Sequence, residues 1–110
     1  METLFKKRPF ENAKEMAGKY PDIYKIPSQL ELDTLHKGDM VMVWANPEKL
    51  WLKVLYKNEN HIVGQIESNA NCTDAHGYKL GDIADITTEN IYAMIEIKPI
   101  TINKMVFTWQ

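Results

Sequence analysis

Leu50-Trp51-Leu52-Lys53-Val54-Leu55-Tyr56, then Lys57-Asn58-Glu59-Asn60, then His61-Ile62-Val63-Gly64-Gln65-Ile66-Glu67-Ser68 is the stretch whose reading decides the fold. β-Prone residues fill both flanks, and the polar tetrad between them contains asparagines, which tolerate the left-handed conformations of a tight turn. The stretch reads as a β-hairpin with strands over 50–56 and 61–68. In its second strand Ile62, Gly64 and Ile66 fall on one face and His61, Val63, Gln65 and Glu67 on the other, so the polar set meets water. Gly64 inside that strand predicts a bulge or a sharp bend.

Working outward, two Gly-Asp turns punctuate the chain, Lys37-Gly38-Asp39 before the hairpin and Leu80-Gly81-Asp82 after it. Each launches an apolar run. Met40-Val41-Met42-Val43-Trp44 reads as a strand buried on both faces or nearly so, and Ile83-Ala84-Asp85-Ile86 as another. A further strand is expected over 91–97, with Ile91, Ala93, Ile95 and Ile97 on one side. A last hairpin would set Ile100-Thr101-Ile102 against Met105-Val106-Phe107. Toward the N terminus, Phe10, Ala13, Ala17 and Tyr20 recur at helical spacing between Pro9 and Gly18, which predicts a helix. Ser28 and Glu31 have capping-box spacing, so a short helix through Leu30, Leu32 and Leu35 follows and ends by Gly38. The segment 69–78 is polar and irregular, the longest surface loop expected in the middle of the domain.

A chain of 110 residues with 45% hydrophobic content makes one domain with one packed core. A net charge of −2 and a pI near 5.9 supply no electrostatic footprint for DNA or RNA. Lys6-Lys7-Arg8 is the only basic cluster, and its place within residues 1–8 reads as a solvated, mobile end. Met1-Glu2-Thr3-Leu4-Phe5 leads into charge rather than into a secretory apolar core, and no run approaches the ~18 apolar residues of a membrane helix. Cys72 is the single cysteine, so no internal disulfide forms and a reducing, cytoplasmic setting is expected.

Three pieces of the chain together resemble the YegJ-like bacterial domain of unknown function. They are Leu50-Trp51-Leu52-Lys53-Val54; Ile62-Val63-Gly64-Gln65-Ile66 followed by Asn69; and the Gly81-Asp82 turn before the strand that leads to Ile91. Ile26-Pro27-Ser28, the short helix and Gly38-Asp39 look like variants of the same layout, so the likeness covers roughly residues 26–97. Leu50 stands where members often carry Phe, and Tyr92-Ala93 where they often carry Asp-Trp. The resemblance implies a compact β-rich domain, SH3-like or barrel-like, and no activity.

Chemistry is concentrated in the 69–78 loop. Cys72, Asp74 and His76, with His61 on a neighbouring strand, are competent zinc ligands, although paired ligand motifs are absent and no cofactor is expected. The same Cys72, His76 and Asp74 could act as nucleophile, base and orienter if they converge. Aromatic side chains offer a binding alternative: Trp44, Trp51, Tyr56, Tyr78, Tyr92 and Trp109 could line a groove, with Trp51 in or near the core and Tyr78 or Trp109 exposed. Single-stranded nucleic acid could stack on such rings, against which stands the missing basic groove. Acidic Glu67, Asp74, Asp82, Asp85 and Glu89 gather around the loop end, and an exposed strand edge could accept a partner's strand.

The sequence thus predicts an α+β domain, one or two N-terminal helices followed by a strongly bent antiparallel sheet, SH3-like or small-barrel-like. It favours a non-catalytic protein that docks a protein partner, of the immunity, inhibitor or adaptor type. The alternatives are a small enzyme or metal-binding protein built on the loop, and a nucleic-acid binder. The binding set is Asn69, Asn71, Cys72, Asp74, His76, Tyr78 and Trp109.

Overall fold

The computed structural model describes residues 9–96. The basic end at 1–8, the last hairpin and Trp109 lie outside the described residues. Five strands form one antiparallel sheet: β1 (Met40–Ala45), β2 (Glu48–Asn58), β3 (His61–Ile66), β4 (Ile83–Thr87) and β5 (Ala93–Ile95), in the order β4-β3-β2-β1-β5. The sheet does not close among the described residues, because β4 and β5 are its two edges. Short helices α1 (Ala13–Lys19), α2 (Gln29–Leu32) and α3 (Thr73–His76) and a 3-10 turn (Thr88–Asn90) complete the α+β arrangement.

Both N-terminal helices start where their caps dictate. The Asn12 side chain accepts the Glu15 N–H at 2.8 Å, and Ser28 and Glu31 form a reciprocal capping box. α2 ends at Leu32 rather than running to Gly38, and Leu30 is 79% exposed. Leu32 and Leu35, three apart, share the side that enters the core, whereas Leu30 points away.

Alternation along the central strands supplies the core. Val41, Val43 and Ala45 of β1, Leu50, Leu52 and Val54 of β2, and Ile62 and Ile66 of β3 are fully buried. β1 is not buried on both faces, since Met40, Met42 and Trp44 remain half-buried on the outer side. In β5 the register sets Met94 beside Val41, so Met94 packs on the core while Ala93 and Ile95 lie on the outer face beside Met42 and Met40. Ile91, two residues before the strand, is buried in the core.

The hairpin is tighter than its sequence suggests. β2 extends to Asn58 and β3 begins at His61, and the left-handed residue is Glu59 at φ 57°, not an asparagine. Asn60 is instead used outside the turn, where its carbonyl accepts the Thr88 N–H at 2.9 Å. Opposite Gly64 the register shifts between Val54 and Tyr56, leaving Leu55 as the extra residue of a bulge. A Cβ on Gly64 would meet Leu52 Cδ2 at 3.0 Å, Leu52 Cβ at 3.1 Å and the Lys53 carbonyl at 3.3 Å.

The two Gly-Asp turns are the same structure used twice. Asp39 Oδ2 accepts the His36 N–H at 3.0 Å, and Asp82 Oδ2 accepts the Lys79 N–H at 3.1 Å. Each aspartate also holds the same residue's side chain, His36 Nδ1 at 2.9 Å and Lys79 Nζ at 3.1 Å. Gly38 and Gly81 take φ 98° and 91°, a region only glycine enters without strain. Gly38 and Asp39 then hydrogen-bond Val54 of β2, and Gly81 and Asp82 hydrogen-bond Ile66 of β3, all at 2.8 Å. Each turn therefore docks an incoming strand onto the sheet.

Gly64→Ala is expected to destabilise the fold by about 1–3 kcal/mol through overpacking against Leu52. Gly18→Ala, with nothing within 4 Å of its Cβ, is expected to stabilise α1 by about 0.5–1 kcal/mol, both read by urea denaturation.

Candidate functional site

The 69–78 segment is held in place from β2. Glu48 is the first residue of β2 and lies on its inward face, with one oxygen accepting the Cys72 N–H at 2.8 Å and the other the Asn71 N–H at 3.1 Å. His76 Nε2 stands 2.7 Å from the same Oε1, and His76 Nδ1 accepts the Tyr78 N–H at 3.0 Å, an arrangement that uses the Nε2–H tautomer. The segment is tied at both ends as well: Ser68 Oγ accepts the Trp51 N–H at 2.8 Å, and Thr73 Oγ1 donates to the Tyr78 carbonyl at 2.7 Å. Partial burial works against ionisation of Glu48. The hydrogen bonds from His76, Asn71 and Cys72 outweigh it and hold the carboxyl below its ordinary range.

This geometry does not assemble the chemistry expected of the loop. His76 is fully buried with both ring nitrogens engaged, Asp74 is exposed and Cys72 is half-buried, and no hydrogen bond or ion pair joins the three side chains. His61 faces Asp85 at 3.3 Å on the other side of the sheet. Among the described residues no three His, Cys, Asp or Glu side chains are grouped to hold a metal ion. Tyr78, expected to be exposed, is 7% exposed and stacks on Phe10 with ring centroids 4.7 Å apart. Asn69 and Asn71 are exposed. Three of the acidic residues have partners of their own: Asp82 bonds Lys79, Asp85 faces His61, and Glu89 accepts from Asn12 at 3.3 Å.

Apolar side chains gather on a different surface. The outer face of the sheet presents Met40, Met42 and Trp44 from β1 and Trp51 from β2, all half-buried, with Met42 directly opposite Trp51. Lys49 and Lys53 alternate with Trp51 on the same face, and Lys49 Nζ lies 5.6 Å from the Trp44 ring centroid. At the Trp44 end a groove of about 360 Å³ opens between this face and the connector after α1, where Ile23, Tyr24 and Lys25 form the lip and Tyr92 the back wall.

Tyr92 anchors that end. Its hydroxyl donates to Glu11 Oε1 at 2.8 Å, Asn46 donates to the other Glu11 oxygen, and Asn90 donates to the Glu11 carbonyl at 3.1 Å. Glu11 N–H donates to the Trp44 carbonyl at 3.0 Å, so residues 10–12 strap the end of β1. Burial, the hydrogen bond to Glu11 and the charge of that carboxylate push the Tyr92 hydroxyl well above the usual tyrosine range.

Glu48, Glu11, Asn46 and Asn90 escape sequence reasoning because their partners lie far away along the chain. The one legible signal is local, the Thr87–Asn90 spacing by which Asn90 Oδ1 caps the 3-10 turn. Set beside family models, curated proteins and solved structures, the chain matches none of them. Among the described residues no helix is long and apolar enough to cross a membrane.

Because Glu48 is depressed in the folded state, its contribution is present above its ordinary value of 4.5 and is lost as pH falls through the lower folded value. Glu48→Gln is expected to cost about 1–3 kcal/mol at neutral pH and to flatten the loss of stability below pH ~4.5, measured by urea titrations across pH.

Proposed function

We propose that this chain is a non-catalytic binding protein that docks a protein partner, of the immunity, inhibitor or adaptor type, in a cytoplasmic setting. One observation carries the reading: the strip Met40, Met42, Trp44 and Trp51 runs across the outer face of the sheet, only half-buried among the described residues and flanked by Lys49 and Lys53. Trp is enriched among the few residues that dominate interface energy, Met adapts to many partners, and rigid strands present both with little ordering cost. Within the loop set, His76 and the Cys72 N–H serve this reading as a brace, since Glu48 consumes both.

The sheet is best read as SH3-like. A four-strand meander with β5 returning to β1 after a 3-10 turn supports that reading. The YegJ-like resemblance agrees with such a fold and adds no activity.

The test is affinity capture from lysate of the source organism, with wild type beside Trp51→Ala/Met42→Ala and a loop control Asn71→Ala/Asp74→Ala, all checked for folding by circular dichroism. A stoichiometric protein retained by wild type and the loop control and lost from the face variant supports the reading. Capture that depends on the loop and ignores the face overturns it.

A further inference from the structure

The groove at the Trp44 end of the sheet has a composition that selects its occupant. Its lining carries two ammonium groups, Lys25 and Lys49, and no carboxylate; the rest is Ile23, Tyr24, Met42, Trp44 and Tyr92. Neither lysine has a carboxylate partner among the described residues. Glu11, behind the back wall, keeps its charge while accepting from the neutral Tyr92 and Asn46, so it offsets part of the positive charge of the two lysines but lies outside the lining. We propose that this groove binds an acidic, extended segment of a partner protein, an apolar side chain entering between Ile23 and Trp44 while flanking carboxylates meet Lys25 and Lys49. The inference rests on the protein-docking reading and narrows it to one chemistry.

Size and shape support that occupant. A volume of about 360 Å³ lies near the lower end of ligand clefts, about 300–1,000 Å³, which suits one or two side chains rather than a large cofactor. The apolar floor continues out of the groove from Met42 to Trp51 and Met40, a path that an extended chain covers and a small acid does not. The lip is built in advance. Ile23 and Tyr24 N–H groups both donate to the Tyr20 carbonyl at 3.0 Å, and Tyr24 packs between Tyr20 at 6.3 Å and Tyr92 at 5.6 Å. Ile23 is nonetheless 69% exposed, so the preformed lip offers apolar surface that nothing among the described residues covers. Single-stranded nucleic acid fits less well, because its binders follow several successive phosphates with a continuous basic groove, whereas here two lysines flank one slot.

The probe is a fluorescein-labelled peptide of alternating Glu and Phe, set beside the same peptide with Gln for Glu and a labelled oligouridine, each titrated by anisotropy. The Glu peptide is expected to bind about tenfold more tightly than the Gln peptide, and the preference is expected to fade with salt. Lys25→Gln/Lys49→Gln is expected to erase that preference, and amide shifts in a ¹H–¹⁵N spectrum are expected at Tyr24, Trp44 and Lys49. The same spectrum checks that the variant is folded. Equal binding of the two peptides, shifts confined to the 69–78 loop, or oligouridine binding tighter than the Glu peptide would each overturn the proposal. A captured partner that still depends on Trp51 and Met42 while the peptides bind equally would sink the acidic-segment inference and leave the docking reading standing.

Discussion

Close approach of β2 and β3 at Gly64 is the constraint on which the rest of this structure depends. Leu52 lies over the bare glycine at a distance that would crowd a Cβ, and the two strands bury Leu50, Leu52, Val54, Ile62 and Ile66 together. The bulge at Leu55 follows directly opposite, where the register must absorb the extra residue. β2 pairs with β1 over Glu48–Lys53 and with β3 over Leu52–Asn58, so its pleat orients much of the molecule.

That pleat explains why one short stretch serves two ends. Glu48 and Leu50 point inward, and Lys49 and Trp51 point outward, as strand geometry requires of alternate residues. Inward, the Glu48 carboxylate replaces the water that the N–H groups of Asn71 and Cys72 and the His76 ring would otherwise need, and so fixes a polar segment against an apolar core. Outward, the same strand sets Lys49 over Trp44 and Trp51 against Met42. The brace and the outer aromatic face are consecutive teeth of one strand.

Much of this was legible from local signals. The hairpin, both N-terminal helices, the Ser28–Glu31 box and the inward set Ile62, Gly64 and Ile66 follow from spacing alone, because each depends on residues a few positions apart. The Gly-Asp turns were legible as turns, but their identity down to matching hydrogen bonds was not, since that depends on which strand each docks against. How the 69–78 segment is held was not legible. Cysteine, histidine and aspartate within five residues look like chemistry in a sequence, yet one turn of helix directs His76 into the core and leaves Asp74 in solvent.

By itself, then, the sequence determined the elements: alternation, caps and turn glycines act over two to four residues, and the chain carries them in any context. Tertiary structure decided which apolar residues stay uncovered and which polar ones are consumed. Met42, Trp44 and Trp51 have the composition of core residues and lie outside it, because the open sheet buries one face fully and, among the described residues, covers the other only in part. His76 has the composition of a site and lies within the core, because a carboxylate 28 residues away reaches its ring and satisfies it there.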